Sequence, residues 1–82
     1  MEEKIAYIYG QRTGRGELIN PDYFNYTILV NGMVETLGGL HVNTIDTVRR
    51  FKGYQIVFDK SPSGESIPLP IKLKSKLQIE LS

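Results

Sequence analysis

Residues 67–81 read Ile67-Pro-Leu-Pro-Ile-Lys-Leu-Lys-Ser-Lys-Leu-Gln-Ile-Glu-Leu81, with Ile or Leu at every odd position except Ser75 and Pro, Lys, Gln or Glu at every even one. Strict alternation is the pattern of a strand with one buried and one wet face. Fully extended, such a run would span about 50 Å, far beyond the ~5–6 residues of an ordinary strand. A bend or break is therefore expected, and Ser75, the small polar residue on the apolar side, is the expected place. Pro68 and Pro70 remove two N–H groups on the same lateral edge, so the start of the run reads as an edge strand or a bulged entry.

The preceding segments support the same reading. Tyr54 to Asp59 alternates, with Tyr54, Ile56 and Phe58 on one side, and Lys60 to Ser66 is a polar turn from which the tail should return antiparallel. Upstream, two β-branched and aromatic runs flank Asn31-Gly32, the pair favoured in a two-residue type I′ hairpin. That turn sets Val30 opposite Met33, Ile28 opposite Glu35 and Tyr26 opposite Leu37 on the core side. Leu29–Val34 and Thr27–Thr36 then fall on the outer side, where Leu29 and Val34 make a small apolar spot. Gly38-Gly39 is expected to end the second strand.

Lys4 to Tyr9 is a first strand with apolar residues on both faces, suited to the middle of a sheet or a closed barrel. Gly10 to Gly16 holds three glycines in a connection, Glu17 to Ile19 reads as a short returning strand, and Asn20-Pro-Asp22 is turn chemistry. One helix is expected from Asn43 or Thr44. It carries Ile45, Val48 and Phe51 at helical spacing, with Asp46 in its first turn, Arg49, Arg50 and Lys52 in its last, and Gly53 beyond.

The expected fold is mainly β with one short α-helix, in a single domain over residues 1–82. It is a small twisted antiparallel sheet or a partly open barrel of the SH3 or OB kind, the barrel preferred.

With 82 residues and no cysteine, the chain has one small core and no disulfide staple, which makes self-association or a partner surface worth weighing. The acidic start lacks a signal peptide's pattern and no apolar run reaches membrane-spanning length, so the reading is a soluble, cytoplasmic protein without membrane contact. Asn25-Tyr-Thr matches a glycosylation acceptor, which has no use without export. Charge is uneven: residues 1–48 carry three Lys/Arg and six Asp/Glu, residues 49–82 seven and three, for a net +1.

Catalytic chemistry finds few residues to use. Cysteine is absent, His41 is the sole imidazole, and the acids are scattered without metal-ligand spacing, so no enzyme activity, metal or cofactor is expected. Two binding readings remain. The first is a protein-binding module, an adaptor, subunit or inhibitor of a larger protein, using the Leu29/Val34 spot, Tyr23 and Phe24 in a turn region, and edge pairing along residues 71–81. Homo-oligomerisation fits the same features. The alternative is nucleic acid gripped by Arg49, Arg50, Lys72, Lys74 and Lys76 beside tyrosines, although a pI near 8.0 is low for such modules. A third reading is an oligomeric pocket in which Arg12 and Arg15 bind a small phosphorylated ligand; the glycines around them lack P-loop or dinucleotide spacing.

Overall fold

A computed structural model describes residues 2–11, 15, 22–41 and 49–81. Four strands, β1 (Lys4–Tyr9), β2 (Tyr23–Val30), β3 (Met33–His41) and β4 (Gln55–Phe58), precede a C-terminal helix, α1 (Ile71–Leu81). Residues 49–51 are also helical. The strands form one sheet in the order β3-β2-β1-β4, antiparallel except that β4 runs parallel to β1. The chain is thus mainly β, but the sheet is mixed and not closed into a barrel.

The tail is the principal correction. Residues 71–81 are helical, so the expected strand that would have closed a barrel does not exist, and Ser75 breaks nothing. A period of two contains a period of four, and four residues is close to one helical turn. Leu69, Leu73, Leu77 and Leu81 form one such series; the first three are buried and Leu81 packs against them. The interleaved series is Ile67, Ile71, Ser75 and Ile79, of which Ile71 is 82 % and Ile79 75 % exposed. Leu, Lys, Gln and Glu are all good helix formers, whereas Ile is β-branched and less suited. The helix therefore buries its leucines and presents its isoleucines. It starts directly after Pro70, whose carbonyl accepts the first helical hydrogen bond from Lys74 N (2.9 Å).

The hairpin keeps its turn and changes its register. Asn31 (φ 52°) and Gly32 (φ 83°) both take the left-handed conformation that a type I′ turn requires. Val30 faces Met33 and Leu29 faces Val34, as expected; beyond them the ladder shifts, placing Ile28 opposite Thr36, Thr27 opposite Leu37 and Tyr26 opposite Gly38. Glu35 is the extra residue of a bulge. Its effect is to turn Leu37 outward rather than into the core. Nor do Gly38 and Gly39 end the strand, which runs on to His41. Gly39 instead makes room for Tyr23, whereas Gly38 faces Tyr26 at ordinary contact distance. A Cβ on Gly38 would stand 3.4 Å from the Tyr26 hydroxyl, and one on Gly39 only 2.4 Å from that of Tyr23.

Ala6, Ile8, Phe24, Tyr26 and Ile28 line the covered side of the sheet and join Phe51, Leu69, Leu73 and Leu77 in one core. Ile56 and Phe58 pack against it as their spacing predicts, as does Tyr54 just ahead of β4. Phe51 is the described member of the expected helical stripe, and Gly53 beyond it has φ 87°, suited to a helix end. The rest of that helix and the strand expected at residues 17–19 lie outside the described residues.

Asp59 locks the tail to the sheet. Its N–H donates to Ile8 O (2.9 Å), its carbonyl accepts from Ile67 N (2.9 Å), its Oδ1 accepts from Leu69 N (2.8 Å), and its Oδ2 pairs with Lys74 Nζ. It does so at φ 67°, a conformation that Asp tolerates better than most residues. Between these contacts, an antiparallel bridge from Lys60 to Ser66 and a turn at Gly64 (φ 91°) realise the polar turn expected at 60–66.

Candidate docking surface on the outer face of the sheet

Strand pairing puts Ile5, Tyr7, Tyr9, Thr27, Leu29, Val34 and Leu37 on the side of the sheet away from α1. Its centre is tightly organised. Thr27 is buried and shares a 2.8 Å hydrogen bond with Tyr9 Oη. Nearby, Gln11 Nε2 donates to Asn25 Oδ1 (3.2 Å), and Asn25 Nδ2 donates to Gly10 O (3.4 Å). Tyr23 lies across Gly39 and meets the His41 ring edge-on, with centroids 5.0 Å apart. These contacts give the face a fixed polar and aromatic floor.

Beside that floor the β2–β3 hairpin carries apolar side chains in water. Leu29 is half-buried, its partner Val34 is 56 % exposed and Leu37 is 70 % exposed, with Met33 also exposed at the hairpin end. The sequence located Leu29 and Val34. Leu37 was missed because alternation counted through Asn31-Gly32 places it inside, and the bulge at Glu35 has no separate sequence signal. Ile71 and Ile79, exposed on α1, were missed because a strand would have buried them.

The remaining site residues predicted from sequence do not gather on this face. Phe24 is fully buried and contacts Phe51, with centroids 6.3 Å apart, so it is part of the core and not of a turn. Arg12 lies outside the described residues, and Arg15 is exposed. Arg49 and Arg50 are exposed, with Arg50 Nη1 donating to Tyr26 Oη (3.3 Å) and its guanidinium 5.6 Å from that ring's centroid. Lys72, Lys74 and Lys76 no longer form a row: on a helix Lys72 and Lys76 share an exposed face one turn apart, while Lys74 turns inward to Asp59. Edge pairing along 71–81 is ruled out by the helix itself.

The helix lysines and the rings of the outer face are consequently separated, while Arg50 stays against Tyr26 on the covered side. Lys72 and Lys76 project from the helix that covers one side of the sheet; Tyr7, Tyr9 and Tyr23 belong to the other side. Among the described residues no three His, Cys, Asp or Glu side chains are grouped so that they could hold a metal ion, and no helix is long and apolar enough to cross a membrane. No protein-family model, curated protein or solved structure matches the chain.

Proposed function

We propose that this domain is a non-enzymatic protein-binding module whose outer sheet face docks a larger protein partner. The observation that carries this reading is the contiguous apolar strip of Leu29, Val34 and Leu37 beside a rigid aromatic and amide floor. Exposed apolar side chains grouped on a fixed scaffold are a usual mark of an interface. The face is favoured over the edge because the bulge at Glu35 twists β3 away from the flat geometry that strand addition needs. Nucleic acid is the weaker reading, because an OB-like grip needs base-stacking rings and backbone-neutralising cations in one groove.

A photo-crosslinking residue at position 37 tests the proposal in the native host, with the same residue at position 62, on the 60–66 turn, as control. The expected result is a single crosslinked protein partner from position 37, lost in V34D. Crosslinks to nucleic acid, or equal labelling from both positions, would sink the proposal. Binding of labelled oligonucleotides at low salt that weakens steeply as salt rises would move the function to the Lys72/Lys76 side.

A further inference from the structure

We propose that two copies of the chain join through the outer edge of β4, continuing the sheet across a twofold axis at Val57. β4 closes one side of the sheet, and among the described residues no strand pairs with its other side. The ladder with β1 fixes which backbone groups that side presents. Asp59 N donates to Ile8 O, and Ile8 stands beside Phe58, so Gln55, Val57 and Asp59 turn their backbone N–H groups toward β1. Ile56 and Phe58 point theirs the other way, each with its carbonyl, and these groups have no partner among the described residues. The edge also lacks the features that keep sheets apart. From Gln55 to Phe58 it holds no charge, proline, glycine or bulge, and Ile56, Val57 and Phe58 are only half-buried. The sheet's other edge, β3, is interrupted at Glu35.

A second copy fits because this edge is complementary to itself. In an antiparallel pair centred on Val57, Ile56 lies opposite Phe58 of the second copy, and every outward N–H and C=O of both residues finds a partner. Centring the pair on Ile56 would call on Tyr54 N–H, which already donates to Phe51 O (3.2 Å). Centring it on Phe58 would call on Lys60, which follows the turn out of the strand at Asp59 (φ 67°). Side chains agree with the Val57 register. Val57 meets its own image on the outer face, Ile56 and Phe58 extend the apolar core side, and Gln55 lies opposite Asp59, so no like charges meet. A second copy also brings the edge already ordered, whereas a loose peptide would have to be ordered to pair with it. Leu29, Val34 and Leu37 lie on the two strands farthest from β4, so this contact stands or falls apart from the docking reading.

Sedimentation equilibrium of the intact chain, carried up to about 1 mM, provides the first test. The mass is expected to rise from that of the 9.3 kDa chain toward twice that value and no further. Amide hydrogen exchange over the same concentrations should slow at Ile56 and Phe58 as the dimer forms, while Val57, whose N–H is held by β1, is slow throughout. This readout needs no variant, so it holds even if a substitution disturbs the fold. V57K and V57E should each weaken association about ten- to a hundredfold, since residue 57 meets its own charge. Mixed in equal amounts, the two should recover the dimer, because only this register sets residue 57 against itself. L37D should associate as the parent does. A chain that stays monomeric at about 1 mM leaves the edge to a foreign strand and overturns the proposal. So would Ile56 and Phe58 amides that exchange at one rate at every concentration, a dimer that V57K leaves intact, a mixture that stays monomeric, or dissociation by L37D, which would hand the contact to the outer strip.

Discussion

The β2–β3 hairpin and the C-terminal tail both alternate apolar and polar residues, yet one is a sheet and the other a helix. In the hairpin, alternation is joined to a turn that has a defined geometry, Asn31 and Gly32 at positive φ, so the two runs pair. The tail has no such turn leading into 71–81, and its apolar set is divided by residue type. Leucine falls at every fourth place and is buried; isoleucine and Ser75 fill the places between and are exposed. What separates the two regions is which apolar residues alternate and what constrains their ends.

The largest expected effect isolates that division. Leu77 is fully buried, so Leu77→Ala should cost about 2–5 kcal/mol, comparable to the ~3–5 kcal/mol a core of this size supplies. Denaturant unfolding should find the variant largely unfolded in buffer. A loss no greater than that of an exposed position would mean that the leucine series does not anchor the tail.

Next comes the joint between the two regions. Asp59→Ala removes the acceptor of Leu69 N and the partner of Lys74, and leaves a less tolerant residue at φ 67°. A loss of about 2 kcal/mol is expected in thermal or denaturant unfolding. Asp59→Asn keeps an acceptor oxygen and the tolerance for positive φ, losing only the part-exposed ion pair, so under about 1 kcal/mol should go. Equal losses in the two variants would assign the joint to charge alone.

Within the hairpin, the paired glycines give a smaller and more local effect. Gly39→Ala would drive a methyl group against the Tyr23 ring, whereas at Gly38 the nearest atom, the Tyr26 hydroxyl, stands at ordinary contact distance. Gly39→Ala should therefore displace Tyr23 from His41, visible as a shift of the His41 ring resonances, at a cost of about 1–3 kcal/mol. Gly38→Ala should leave those resonances in place. If both substitutions behave alike, the Tyr23 ring does not account for Gly39.

How much of this was legible follows from the same contrast. Strand β1, the Asn31-Gly32 turn, the inward Ile56 and Phe58, the polar 60–66 turn and the Leu29/Val34 pair could all be read, because each rests on local chemistry or simple alternation. The parallel pairing of β4 with β1 could not, since nothing in Gln55 to Phe58 names its neighbour. The exposed Leu37 was hidden by the bulge. The inward turn of one Glu80 oxygen has no signal in the neighbouring residues, because it depends on the helix. The tail is the more instructive case: its alternation fits a strand, while the kind of apolar residue and the helix-forming character of its Lys, Gln and Glu favour the helix.

The smallest expected effect is for that reason the most discriminating. Ile79 lies two residues from Leu77 and would share its buried face in any strand; on the helix it is 75 % exposed. Ile79→Lys in a strand would bury an unpaired charge and unfold a domain of this size. On the helix it replaces a β-branched residue by a better helix former on the wet side, so unfolding free energy should stay within about 0.5 kcal/mol of the parent and could rise slightly. The two arrangements predict opposite outcomes from one substitution. A large loss at Ile79 alongside an equal loss at Leu77 would restore the strand; loss at Leu77 alone fixes the helix and the side on which the leucines lie.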